Sequence, residues 1–128
     1  MMISNLTRTL CISGALLFSS ATAMADQYTE GYNSAYGENY SEAYSKWYPL
    51  AINGDPRAQF NLGLMYHSGL FVDMDESRAL YWYHKAAENG IREAQEYLVV
   101  GYGEGWFGLP RDPKKSRFWE QKLASTAY

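Results

Sequence analysis

The apolar residues in the centre of the chain form short stripes at helical spacing. The first stripe begins after Asp55-Pro56, is followed by Gly69, and consists of Ala58, Leu62, Met65 and Tyr66. An aspartate can accept hydrogen bonds from the free amides at a helix start, and proline fits the first helical position because no N–H partner is needed there. The spacing therefore predicts an amphipathic helix that begins at Pro56 and ends before Gly69.

The same pattern returns twice along the chain. A second stripe begins after Asp75, ends at Asn89-Gly90, and consists of Ala79, Trp82, Tyr83, Ala86 and Ala87. Asp112-Pro113 then repeats the cap signal before a final segment that runs from Lys114 to about Ala124. Because the apolar period is close to 3.6 residues in every segment, the pattern predicts an all-α chain.

Self-comparison shows an internal repeat. At an offset of 36 residues the matched pairs are Ala43/Ala79, Ala51/Ala87, Gly54/Gly90, Ala58/Ala94, Gln59/Gln95, Leu62/Leu98, Tyr66/Tyr102 and Gly69/Gly105. After one inserted residue the offset is 37, and the pairs are Asp75/Asp112, Trp82/Trp119, Lys85/Lys122 and Ala87/Ala124. A two-helix unit cannot bury its apolar face alone, so the repetition predicts stacked helical hairpins in an α/α superhelical solenoid.

These residues resemble the Sel-1-like repeat (SLR) family, which is related to tetratricopeptide repeats. The resemblance is strongest over Ala58–Gly90 and extends from Glu38 to about Ala124. The sequence departs from the family pattern in the second unit, where Val99 replaces the packing glycine and Ser116 replaces an alanine. The resemblance implies an α/α superhelix and a protein-interaction adaptor. We expect a capping helix pair at 26–53, a first full repeat at 56–90 and a second, degenerate repeat at 91–124.

Six tyrosines recur every four residues before the first full repeat, namely Tyr28, Tyr32, Tyr36, Tyr40, Tyr44 and Tyr48. Gly31 and Gly37 weaken a single helix here, so we predict one helix near Gln27–Tyr36 and another from Tyr40 to about Asn53. Together with the four later helices, this gives about six helices after residue 25. The tyrosines either cap the open end of the solenoid or form an exposed strip that binds a peptide or glycan.

The first 25 residues have the composition of a secretory signal. They contain Arg8, no acidic residue and an apolar run from Leu10 to Phe18, and they close with Ala23-Met24-Ala25. The apolar run is shorter than the ~20 residues needed to span a bilayer. We therefore predict cleavage after Ala25, a mature domain at 26–128 without a membrane span, and a periplasmic or secreted location.

The net charge of the chain and its reactive residue types argue against several classes of function. The whole chain has a formal net charge of −3, and the predicted mature chain is one unit more negative because it loses Arg8. An acidic domain is unsuited to binding nucleic acid through its overall field. Cys11, the only cysteine, lies inside the predicted signal, and His67 and His84 have no further ligand at metal-binding spacing. No nucleophile or phosphate-loop motif is present, so we predict neither enzyme activity nor a cofactor or metal.

A second face of the first helix of each unit offers a binding surface. In the first unit this face carries Phe60, Leu64, His67 and Ser68, and the second unit contributes Glu96, Val100 and Glu104. Apolar groups beside acidic ones suit a peptide or partner helix with apolar and basic residues. Phe60 and Leu64 could equally pack against the N-terminal helices.

The sequence thus predicts an exported adaptor that binds a protein partner in the cell envelope. The alternative is a binder of an envelope polymer, peptidoglycan or polysaccharide, through exposed tyrosines.

Overall fold

A computed structural model describes residues 3–106 and 108–126, with side chains from residue 20 onward. Within these residues there are six helices and no strand, which confirms the prediction of an all-α repeat fold. The helices are α1 (Ile3–Tyr36), α2 (Tyr40–Ile52), α3 (Pro56–Ser68), α4 (Glu76–Glu88), α5 (Arg92–Glu104) and α6 (Pro113–Ser125). Each helix packs against the helices next to it in the chain, as expected for stacked hairpins.

The first helix is longer than the sequence indicated. It spans 34 residues from Ile3 to Tyr36, whereas we predicted only the segment Gln27–Tyr36. Between Ile3 and Asp26 the chain contains no proline and a single glycine, so no strong stop separates the two parts of the helix. The apolar run of the predicted signal, residues 10–18, lies outside the described side chains. The predicted break between Tyr36 and Tyr40 is present, and Asn39 caps α2.

Aspartate side chains begin three of the helices, as predicted. Asp55, Asp75 and Asp112 each accept hydrogen bonds from backbone amides in the first turn of α3, α4 and α6. Gly69 and Gly105 end α3 and α5 in the left-handed conformation, with φ of 67° and 79°. These signals mark the starts of α3, α4 and α6 and the ends of α3 and α5 locally, before any contact between helices is considered.

A buried glutamine joins each hairpin to the one before it. The Nε2 atom of Gln59 donates to the carbonyl oxygen of Ala51 at 3.1 Å, and Gln95 donates to Ala87 at the same distance. Both glutamines are only 3% exposed. Ala51 and Ala87 lie in the last turn of a helix, and their carbonyls also accept from the backbone amides of Gly54 and Gly90. The bond therefore chiefly gives the buried amide of the glutamine its partner.

Small residues let the helices approach closely. Ala58, Ala79 and Ala86 are fully buried, and the ring of Tyr83 on α4 packs against Gly63 of α3. In the second unit Ser116 takes the place of the alanine, and its hydroxyl donates to the carbonyl oxygen of Val99 at 2.9 Å. The serine therefore satisfies its hydroxyl with the backbone of the neighbouring helix, which explains how a polar residue is accommodated at a buried position.

The contact between Gly63 and Tyr83 can be tested with Gly63→Ala. A Cβ atom at this position would lie 2.6 Å from ring atoms of Tyr83, so either the ring or the helix must move. We expect Gly63→Ala to lower the free energy of unfolding by about 1–3 kcal/mol, although alanine is the better helix former. Urea denaturation measures the change. Gly37→Ala is the control, because its Cβ would be 3.6 Å from the nearest atoms. Equal losses in the two variants would contradict the expectation.

Candidate functional site

A surface groove lies between α3 and α5. Its cavity has a volume of about 510 Å³, and its lining residues are Phe60, Leu64, Glu93, Glu96, Tyr97, Val100 and Trp106. Four of the residues predicted for the binding face are therefore brought together here, namely Phe60, Leu64, Glu96 and Val100. The groove runs from the first repeat to the second, as a surface made by equivalent helices of a solenoid should.

The floor of the groove is aromatic and is part of the core. The ring of Phe60 lies 5.7 Å from that of Tyr83 and 6.0 Å from that of Tyr97, measured between centroids. Tyr83 and Tyr97 stack almost in parallel at 5.0 Å. Phe60 and Leu64 are both half-buried. Phe60 thus packs against α4 and α5 rather than against the N-terminal helices, and one side of it still faces the groove.

The rim of the groove carries two carboxylates, those of Glu93 and Glu96. Both residues are exposed, and Glu96 forms an ion pair with Arg92 at 3.3 Å in which both side chains are about half exposed. Exposed ion pairs one helical turn apart contribute little to stability. Breaking this contact therefore costs little, and Glu96 is available to a basic partner. The groove is therefore apolar at its floor and acidic at its edge.

Three of the predicted site residues lie elsewhere. His67 is half-buried behind the groove floor, with Nδ1 3.0 Å from the hydroxyl oxygen of Tyr83 and its ring edge-on to Tyr83 and Tyr97. Ser68 and Glu104 are exposed at the ends of their helices and do not line the cavity. His67 thus holds the aromatic floor in place instead of facing the groove.

Sequence reasoning missed Glu93, Tyr97 and Trp106. Glu93 and Tyr97 precede Val100 by seven and three residues on α5, so helical spacing alone could have placed all three on one face. Trp106 follows the left-handed Gly105, where the helical register no longer applies. No periodic signal in the sequence points to that residue.

The six tyrosines near the N-terminus do not form one continuous strip. Tyr28 packs on Trp47 with ring centroids 6.1 Å apart, and the hydroxyl of Tyr44 lies 3.0 Å from that of Tyr66. Tyr32 and Tyr36, by contrast, are 57% and 86% exposed. The tyrosine rings are thus packed at some positions of the series and exposed at others.

His84 occupies a polar contact within the second hairpin. Its Nε2 atom lies 2.7 Å from the hydroxyl oxygen of Tyr102, and its ring meets Trp119 edge-on at 5.7 Å. Burial lowers the pKa of His84, the Lys115 ammonium lowers it further, and the Glu88 carboxylate opposes this change. The neutral imidazole is therefore the form that the folded protein favours.

The residues that the structure describes contain neither a metal-ligand cluster nor a helix that could cross a membrane. No group of three or more His, Cys, Asp or Glu side chains there is arranged to hold a metal ion. None of the described helices combines the length and the apolar character that crossing a membrane requires.

Comparison with known proteins gives consistent matches. The sequence pattern of the Sel1 repeat matches residues 56–91 and 93–125. The fold is similar to that of a Sel1 repeat protein from Oxalobacter formigenes, with a TM-score of 0.74 and 27% identity over 88% of this chain and 90% of that one. It is also similar to a protective antigen with an SLR fold present in uropathogenic Escherichia coli strains, with a TM-score of 0.73 and 32% identity. That match covers 86% of this chain and 24% of the antigen.

The environment of His84 leads to an expected pH dependence. Because its pKa is lowered in the folded state, the unfolded chain takes up the proton first as the pH falls. The stability that His84 contributes is therefore present above its ordinary pKa of 6.5 and is lost progressively below it. We expect the free energy of unfolding, measured with urea between about pH 7 and pH 5, to fall less steeply in His84→Gln than in the natural protein. Identical slopes would contradict this assignment.

Proposed function

Because the chain belongs to the Sel1 repeat family, whose fold is of the protein-interaction adaptor type, we propose that it binds a segment of a partner protein in the groove between α3 and α5. Proteins of this family are typically non-catalytic adaptors, and we propose the same for this one. The observation that carries the proposal is the combination of an aromatic floor with an acidic rim in one cavity of about 510 Å³. Cavities of ~300–1,000 Å³ are the usual size for specific ligand sites.

The side chains that line the groove indicate which kind of partner segment it would bind. The rings of Phe60 and Tyr97 offer apolar surface for a leucine, phenylalanine or similar side chain of the partner. Glu93 and Glu96 favour a lysine or arginine next to that anchor, and they disfavour acidic segments. The partner segment is therefore apolar and basic.

We further propose that the protein is exported and that its partner lies in the cell envelope. The features in favour are the signal-like composition of residues 1–25 and the way in which α1 meets the rest of the fold. Residues 20–26 are exposed, and Gln27 then donates from Nε2 to the carbonyl oxygen of Lys46 at 2.9 Å. Cleavage after Ala25 would leave the packed part of α1 in place.

Selection of peptides tests the groove. We expect a random peptide library displayed on phage to yield sequences with an apolar residue next to a lysine or arginine. In the double variant Glu93→Lys/Glu96→Lys such a peptide should bind about tenfold or more weakly, because two rim charges are reversed. Isothermal titration calorimetry with the synthetic peptide measures the affinity.

The control for this experiment is Glu88→Lys/Glu120→Lys, which makes the same change of charge at exposed positions outside the groove. The control variant should bind the peptide nearly as well as the natural protein. If both double variants weaken binding equally, the effect comes from net charge, and the groove is not the site. Unchanged binding in the first variant would also refute the assignment.

The proposed export is tested by identifying the N-terminal residue of the protein that the cell produces. We expect mass spectrometry of the periplasmic or secreted fraction to give a chain that begins at Asp26. Ala25→Arg is the matched variant, because signal cleavage requires a small residue at that position. It should accumulate as the uncleaved precursor. A natural protein that retains residues 1–25 would contradict the proposal of a cleaved signal.

A further inference from the structure

Phe71 has a backbone conformation that is unfavourable for its side chain. It lies in the loop between α3 and α4 with φ of 65°, in the left-handed region that bulky residues rarely adopt. The corresponding loop between α5 and α6 also contains a residue with φ of 65°, and there it is a glycine, Gly108. The shape of the loop therefore does not require an aromatic residue, and glycine provides that shape without strain.

The ring of Phe71 belongs to an exposed aromatic shelf formed with Tyr44 and Tyr48. Phe71 lies 5.5 Å from Tyr44 between ring centroids, and Tyr44 stacks on Tyr48 at 5.3 Å. Phe71 is 60% exposed and Tyr48 is 40% exposed. The shelf presents aromatic surface to solvent, although burying these rings would be more favourable. Strain combined with exposure is typical of residues retained for binding.

A polar recess of about 460 Å³ adjoins the shelf, and its lining residues are Tyr66, Phe71, Val72, Asp73, Met74, Asp75 and Arg78. The guanidinium group of Arg78 forms an ion pair with Asp75 at 3.4 Å and lies 5.5 Å from the centre of the Tyr66 ring. The side chain of Arg78 is 67% exposed, and Asp73 is exposed as well. The recess thus offers a hydrogen-bond donor and an acceptor beside an aromatic face.

We propose that the Phe71 recess is a binding site for a neutral saccharide. A sugar ring has an apolar C–H face that stacks on an aromatic ring, and hydroxyl groups that both donate and accept. Asp73 can accept from such hydroxyls and Arg78 can donate to them. Because the recess carries both carboxylates and a guanidinium group, its charge selects neither an anionic nor a cationic ligand. Its polar lining is unsuited to an apolar peptide.

This site is independent of the groove between α3 and α5, because the two cavities share no lining residue. It also differs from a strip of six tyrosines, since only Tyr44 and Tyr48 of that series take part, beside a phenylalanine from another segment. A negative result at either site therefore does not affect the proposal for the other site.

The test is a titration in which neutral oligosaccharides are added to the purified protein, in the form that the cell produces. Binding is monitored by ¹⁵N–¹H NMR. The probes are chitotetraose, cellotetraose, maltotetraose, mannotetraose and galactotetraose at millimolar concentration. We expect at least one of them to shift the amides of residues 69–78 in a saturable manner. Phe71→Gly should weaken this binding about tenfold or more, because the stacking ring is lost. The variant should fold, since Gly108 adopts the same backbone conformation in the equivalent loop.

The matched control is Phe118→Ala, which removes a ring that is 50% exposed on α6 and lies outside the recess. It should keep the affinity of the natural protein. The proposal is overturned if none of the five oligosaccharides shifts the amides of residues 69–78, if the shifts map to the groove instead, or if Phe71→Gly binds as tightly as Phe118→Ala.

Discussion

The structure depends on a buried side-chain amide that is repeated once per unit. Gln59 and Gln95 each bond a carbonyl in the last turn of the helix before their own hairpin. A buried glutamine amide without a partner at that point would cost about 1–3 kcal/mol, so the stacking register in which the bond forms is favoured over its neighbours. The side chain of Asn89 adds a second link, because its amide donates to the Oε1 atom of Gln59 at 3.1 Å. The amide is thus bonded on both sides and is fixed in one orientation.

The groove follows from this register. Within the first full repeat, Gly63 of α3 faces Tyr83 of α4, and the ring occupies the space that a side chain on the glycine would need. Tyr83 then stacks on Tyr97 of the next unit, which brings Phe60 beside both rings. A chain of close contacts therefore leads from a hydrogen bond at the helix ends to the floor of a surface cavity. The groove is a product of the stacking between units and cannot exist in one hairpin alone.

Much of this fold could be predicted from the sequence, because its signals are local. Aspartate caps, glycine stops and a 36-residue register set the helices, and the equivalent faces of α3 and α5 placed Phe60, Leu64 and Val100 together. His67 was assigned to the same face, but the hydroxyl of Tyr83, sixteen residues away, draws it behind the floor. Trp106 lies in a loop where no period applies. The tyrosine series divides because a four-residue spacing turns about 40° per step around a helix, so only some rings can face the neighbouring helix.

The double role of the Phe60, Tyr83 and Tyr97 rings has a thermodynamic consequence. They form one wall of the groove and also the joint between two repeats, so this wall is held rigid before any occupant arrives. Binding to a preorganised wall loses little conformational entropy. The linkage also acts in reverse, since an occupant that contacts the wall opposes local separation of the two hairpins. Occupancy of the groove and cohesion of the solenoid therefore depend on the same stacked rings.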